Sequence, residues 1–280
     1  MKIQNLKPTR CKTAYPLVFV HGMARQDNKI HNSWGRIPRF LRDRGAQVFY
    51  GDTEAFAPIK DNAEILCKRI DAILKETGAK KVNIIAYSKG GLDTRYAIST
   101  LKIGAKVASL TTVATPHHGS EGLDFYCRFP RFLQKFIAFF PNAFAIITGE
   151  RKFNFFKVVH ELSAKEAVKF NAQNPDEHGV YYQSYAALMK NAFSDITMCL
   201  NYLIIYLFEG PNDGLLSPKS VKWTNFRGII TSSGKRGVSH NDGCDFFERG
   251  RFSKKKSNDG YSDICDFYAD LAEGLKKENC

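Results

Sequence analysis

The chain has 280 residues, 44% of them hydrophobic and 13% aromatic, enough to bury one large core within the size range of a single α/β domain. Its formal net charge of +13 admits nucleic acid, an anionic lipid surface or acidic substrates as partners and does not choose among them. Seven cysteines lie far apart with no C-x-x-C pair, which speaks against a structural zinc site and gives no disulfide framework, so reduced and mostly buried thiols are expected.

The N-terminal stretch 1–8 has no apolar core long enough for a secretory signal; the expectation is a cytoplasmic protein or one whose leader has been removed. The longest apolar runs, 136–147 and 198–208, are broken by Pro141 and Asn142 or fall short of the roughly 20 residues that span a bilayer, which predicts a soluble protein. Residues 16–20 form a short apolar run that stops at His21-Gly22, the pattern of a strand buried on both faces. A helix follows, with Ser33 as candidate cap, Trp34, Ile37 and Leu41 on one face and Gly45 as its stop. Residues 47–50 read as a second strand. Asp61 then opens a helix in which Ala63, Leu66, Ile70, Ile73 and Leu74 recur at helical spacing before Gly78.

Further strands are predicted over 82–86, 110–114, 203–208 and 228–231, with a closing helix over 261–275. This alternation predicts an α/β fold with a mostly parallel sheet covered by helices on both faces. There is no internal repeat and no low-complexity segment; Lys254, Lys255 and Lys256 read as a solvated loop, and no nucleic-acid partner is expected.

Ala86-Tyr87-Ser88-Lys89-Gly90-Gly91 follows the third strand and leads into a helix-like stretch, 92–97. It is a variant of the nucleophile elbow, in which a strained serine needs small residues two places before and after it because strand and helix backbones nearly touch. Ala86 and Gly90 meet that need, and Ser88 is the candidate nucleophile. An ordinary strand-to-helix turn is the alternative.

A serine hydroxyl needs an imidazole to take its proton, and the imidazole needs a carboxylate to fix its tautomer. With chain order Ser, acid, His, the histidines His21 and His31 fall before Ser88, and His117, His118, His160 and His178 fall before the best acid, leaving His240. That acid is Asp213, in the turn Asn212-Asp213-Gly214 after the strand predicted at 203–208. Asp195 lacks a preceding strand, and Asp242 and Asp245 follow the histidine. Plain turn chemistry is the alternative for Asp213, and a surface histidine for His240.

His21-Gly22-Met23 ends the first strand beside the elbow, so the Met23 and Lys89 amides are the expected oxyanion donors; His21 itself is read as bonding backbone. Between Phe125 and Phe156, the aromatic residues Phe132, Phe136, Phe139 and Phe140 share a helical face with Arg128, Arg131 and Lys135 among them. Such a basic amphipathic helix fits a lipid-water interface and equally fits a buried cap.

These residues resemble the bacterial true lipases of the Pseudomonas and Burkholderia type, within the α/β-hydrolases. The resemblance is carried by 15–23, 88–92, 111–120, 212–217 and 238–242, in the right order along most of the chain. It implies an α/β-hydrolase domain over 1–280 with a movable lid inserted at 120–170, the triad Ser88, Asp213 and His240, and oxyanion amides at Met23 and Lys89. It also implies a structural calcium ion, with Asp242 and Asp195 as its carboxylates; no cofactor is expected for catalysis. Ala86 and Tyr87 replace the family's common Gly-His, which reshapes the pocket wall. The family's disulfide is absent: Lys219 stands at its second cysteine, and the stretch that would carry the first is shortened.

The expected activity is hydrolysis of a carboxylic ester with an apolar acyl chain, as a triacylglycerol lipase. The same triad would also serve a short-chain esterase or an acyltransferase, and a catalytically silent membrane-surface protein is the reading from another class.

Overall fold

The computed structural model describes residues 9–27, 32–253 and 260–280, without the side chains of Phe140 and Phe144. The readings made on residues 1–8, on His31 and on Lys254–256, and the place of Phe140 on its helical face, fall outside the described residues.

Six parallel strands form the sheet: β1 (Leu17–Val20), β2 (Val48–Tyr50), β3 (Val82–Tyr87), β4 (Val107–Val113), β5 (Tyr181–Ala187) and β6 (Phe226–Ile230), in the order β2-β1-β3-β4-β5-β6. β1, β3 and β4 are buried along their whole length; β1 is apolar throughout, and the polar Asn83 of β3 and Ser109 of β4 are buried because they bond each other (2.7 Å). Alternation sorts their side chains into two cores. Leu17, Phe19, Ile85 and Tyr87 face α1 (Ile37–Arg42) and the C-terminal helix, while Val18, Val20, Ile84 and Ala86 pack against α2 (Ile59–Thr77) and α3 (Lys89–Ser99). Gly78 ends α2 in the left-handed conformation, φ 69°. The Ser33 hydroxyl donates to the Gln26 carbonyl and leaves α1 without a side-chain cap.

Four helices lie between β4 and β5: α4 (Glu121–Cys127), α5 (Arg131–Ile147), α6 (Phe155–Glu161) and α7 (Ala164–Gln173). α5 continues through Pro141, where the sequence suggested a break. A larger correction concerns 203–208, expected as a strand. It lies in α8 (Cys199–Glu209), with Tyr202 and Ile205 buried and Leu200, Leu203 and Leu207 exposed, the spacing of a one-sided helix. Periodicity cannot separate strand from helix in a run so uniformly apolar. The strand in that part of the sheet is β5, whose Gln183 and Ser184 are buried because they bond Thr111 and the Trp223 carbonyl. The short α9 (Pro218–Val221), then β6, and α10 (Ile264–Lys277) against the first core complete the chain.

Among the described residues no helix is long and apolar enough to cross a membrane. All seven cysteines are unpaired. The chain leaves β1 toward β2 on one side and returns to β3 on the other, so the carboxyl ends of β1 and β3 flank a topological switch point, where open α/β sheets bind ligands.

Candidate active site

Ser88 sits at that switch point, between the last residue of β3 and the first of α3, with φ 51° and ψ −130°. A serine held in this region costs backbone energy and persists only where its neighbours over-determine it. They do: its N–H donates to the Val113 carbonyl (2.9 Å), and its carbonyl accepts from the Thr115 hydroxyl (2.8 Å) and the Gly91 N–H (3.1 Å). The turn also presses on the end of β1. A Cβ on Gly22 would lie 2.6 Å from Ser88 Cβ, and one on Gly90 would run into the His21 and Val20 carbonyls.

Asp213 and His240 are brought together directly. The His240 Nδ1 lies 2.8 Å from Asp213 Oδ2, and the His240 N–H donates to the Asp213 carbonyl (2.7 Å), so side chain and backbone are both fixed. The other Asp213 oxygen accepts from the Leu215 and Leu216 amides at 2.9 and 2.8 Å, which aims the carboxylate. With Nδ1–H spent on the carboxylate, Nε2 is left as the acceptor for a hydroxyl proton. Asp213 follows helix α8 rather than a strand; the extension of β5 reaches it, because the Met189 N–H donates to the Asn212 carbonyl (3.0 Å).

Tyr87, the residue before Ser88, donates its hydroxyl to the His240 carbonyl (2.7 Å), and the two rings lie 5.0 Å apart. Burial pushes this phenol well above its ordinary range, so it remains a donor. Sequence reasoning gave Tyr87 a place in the pocket wall; its anchoring of the histidine loop has no signal in the motif. Ser88 Oγ makes no hydrogen bond among the described residues, a common state before substrate tightens the site.

Met23 and Ser88 line the same cavity of about 400 Å³, otherwise walled mainly by Leu123, Phe129 and Val159 from the helical segment between β4 and β5, Ile204 and Ile205 of α8, and Leu215 of the loop that carries Asp213. Lys89 opens α3, so its N–H is a first-turn donor without an intrahelical acceptor. Its side chain is buried and paired with Asp93 (2.6 Å). His21 bonds the Gly22 and Thr53 carbonyls at 2.8 Å each.

Asp195 and Asp242 come close to the histidine loop, but as partners of arginines. Asp195 Oδ2 accepts from Arg249 (2.8 Å), Ser239 (2.8 Å) and Asn241 (3.2 Å), and Asp242 Oδ2 lies 3.6 Å from Arg236. Burial pushes the Asp195 carboxyl up, but hydrogen bonds from Thr197, Ser239 and Asn241 and the Arg249 charge outweigh it and hold the group at about 2. Among the described residues no three His, Cys, Asp or Glu side chains converge as a metal site, and this pair does not fit a calcium ion, which wants several free oxygens.

A family model described as palmitoyl protein thioesterase matches residues 16–231. The chain belongs to this family. It is 27% identical to Triacylglycerol lipase 2 of Saccharomyces cerevisiae over 93% of its own length and 82% of that protein's. It is 37% identical to a triacylglycerol lipase of Burkholderia plantarii, over 42% of this chain and 34% of that one. Among solved structures, Staphylococcus hyicus lipase superposes with a TM-score of 0.69 at 17% identity, covering 99% of each chain. With the parallel six-stranded sheet, this makes the fold of this thioesterase-family chain that of an α/β-hydrolase.

Proposed function

We propose that this chain hydrolyses carboxylic esters bearing an apolar acyl group, as a lipase. The observation that carries the reading is a strained Ser88 lining an apolar cavity, on the turn that Tyr87 ties to the hydrogen-bonded Asp213–His240 pair. In this reading Ser88 Oγ attacks the ester carbonyl while His240 Nε2 takes its proton. The Met23 and Lys89 amides receive the oxyanion, each worth about 2.7 to 4 kcal/mol in the transition state. Collapse of the tetrahedral adduct expels the alcohol, protonated by His240, and leaves acylated Ser88. Water, deprotonated by His240, releases the acid and restores the serine.

The segment 120–170 together with α8 serves as the lid. Phe132, Phe136 and Phe139 on α5 and Leu200, Leu203 and Leu207 on α8 are exposed, and Arg128, Arg131 and Lys135 are exposed among the α5 aromatics. This surface suits an anionic lipid-water interface.

The family match favours a second substrate of the same site, a long-chain acyl thioester, since attack on that carbonyl differs only in expelling a thiol. Hydrolysis of p-nitrophenyl esters of rising acyl length, run beside a palmitoyl thioester, tests both. Rates that rise with acyl length and vanish in Ser88→Ala support the lipase reading. Preference for the thioester moves the assignment to the second substrate, and Ser88→Ala turning over either one at the parental rate removes the assignment altogether. Added acceptor alcohols that yield new ester instead of free acid would reassign the reaction as acyl transfer.

A further inference from the structure

Two guanidinium groups occupy the carboxylate cluster behind His240. Asp195 Oδ1 accepts from the Thr197 N–H (3.1 Å) and hydroxyl (2.7 Å), and Oδ2 accepts from Ser239 Oγ (2.8 Å), Asn241 Nδ2 (3.2 Å) and Arg249 Nη2 (2.8 Å). A carboxylate offers about four lone-pair positions, so these donors leave none for a metal. Arg236 lies 3.6 Å from Asp242 Oδ2 and donates to the Arg249 carbonyl (3.2 Å), joining the two arginines. Asp242 Oδ1 is buried without a partner among the described residues, while Oδ2 faces the Ser239 N–H (3.4 Å) and Arg236, so the two carboxylates offer a divalent ion one free oxygen between them. Two carboxylates already face two guanidinium groups; an added divalent ion would meet repulsion from both.

The cluster holds the histidine from either side. Ser239 and Asn241 flank His240 and both donate to Asp195, whose buried charge is balanced by Arg249. Asn241 also accepts from Arg25 (2.5 Å), in the loop that carries Met23. Removing the Arg249 guanidinium would leave a buried carboxylate without its cation, at the point where the histidine loop is anchored.

We propose that Arg249, supported by Arg236, is a positioning residue that takes the place of a divalent cation, tying the Asp195 loop to the 239–242 segment so that His240 presents its imidazole without metal. The role in catalysis rests on the ester-hydrolase reading; the replacement of the metal does not. Arg249's planar fork matters as well as its charge, because it spans the Asp195 and Phe247 sides of the loop, with its guanidinium 4.5 Å from the Phe247 ring.

The test measures Tm and ester kinetics of the parent with EDTA, with added calcium and with neither, beside Arg249→Ala and Arg249→Lys at a temperature well below the Tm of each. The expected result is a parental Tm and kcat indifferent to both additions. Arg249→Ala should lose kcat about 10-fold with KM near the parental value, and Arg249→Lys should recover part of the loss. A parental Tm that falls in EDTA and returns with calcium overturns the proposal, as does Arg249→Ala with kcat within about twofold of the parent. If Arg249→Ala does not fold, Arg249→Lys and the chelator comparison decide. The Tm comparison stands even if the parent proves inactive on esters, which separates failure of the clamp from failure of the functional reading.

Discussion

Gly22 shows how tightly the Ser88 turn is held. A methyl group there would meet Ser88 Cβ at 2.6 Å with neither backbone free to move, so Gly22→Ala should keep the fold and displace the nucleophile. A displacement of about 1 Å can cost roughly 100-fold in rate, and that loss in kcat/KM with an unchanged circular dichroism spectrum is the expected outcome. Asp27 supports a prediction about pH. Burial pushes its carboxyl up to about 6, whereas the unfolded chain takes its proton near 3.9. The folded state therefore holds the extra proton between these values, and stability is lost as pH rises from about 4 through 6. Asp27→Asn should raise Tm by a few °C at pH 7 and hardly at all at pH 4, measured by thermal melts across that range.

At this scale the strained turn at Ser88 and the pairing of Asp213 with His240 were legible in the sequence. Small residues around Ser88 mark the strained turn, and chain order relative to both Ser88 and Asp213 isolates His240. Asp213 was found for a reason that does not hold, since a helix and not a strand precedes it. Arg249 left no mark, because pairing with a carboxylate 54 positions away has no period and no motif.

Among elements, α2 and α8 are both apolar in part and respond oppositely to mutation. Leu66 of α2 is fully buried, so Leu66→Ala should cost about 2 to 5 kcal/mol in a denaturant melt. Leu207 of α8 is 81% exposed, so Leu207→Ser should leave stability within about 0.5 kcal/mol of the parent while weakening sedimentation with lipid vesicles. Equal vesicle binding by both proteins would remove α8 from the interface. The same contrast explains which elements could be read in advance. β1 is a continuous apolar run, and β3 is one but for Asn83, because helices cover both their faces, and α2 has a clean 3.6-residue stripe. α8 is apolar nearly all round although Leu200, Leu203 and Leu207 are exposed, which erases the stripe. β5 hides for the opposite reason: its buried Gln183 and Ser184 are satisfied by Thr111 of β4 and the Trp223 carbonyl, so it lacks the apolar run expected of a central strand.

Across the whole molecule, the sheet places Ser88 and Met23 at one switch point, and loops beyond β5 and β6 bring the Asp213–His240 pair to the neighbouring Tyr87. The net charge of +13 adds a long-range attraction to anionic surfaces that salt should screen, so vesicle binding should weaken as ionic strength rises past about 0.15 M. In the ester-hydrolase reading proposed above, one hydroxyl, that of Ser88 on its strained turn, is the nucleophile. Reaction with a fluorophosphonate followed by peptide mass spectrometry measures it most directly. A single adduct on Ser88 is expected, abolished in Ser88→Ala and slowed in His240→Ala. An adduct on another serine, or an unlabelled Ser88 in protein that still turns over ester, would contradict it.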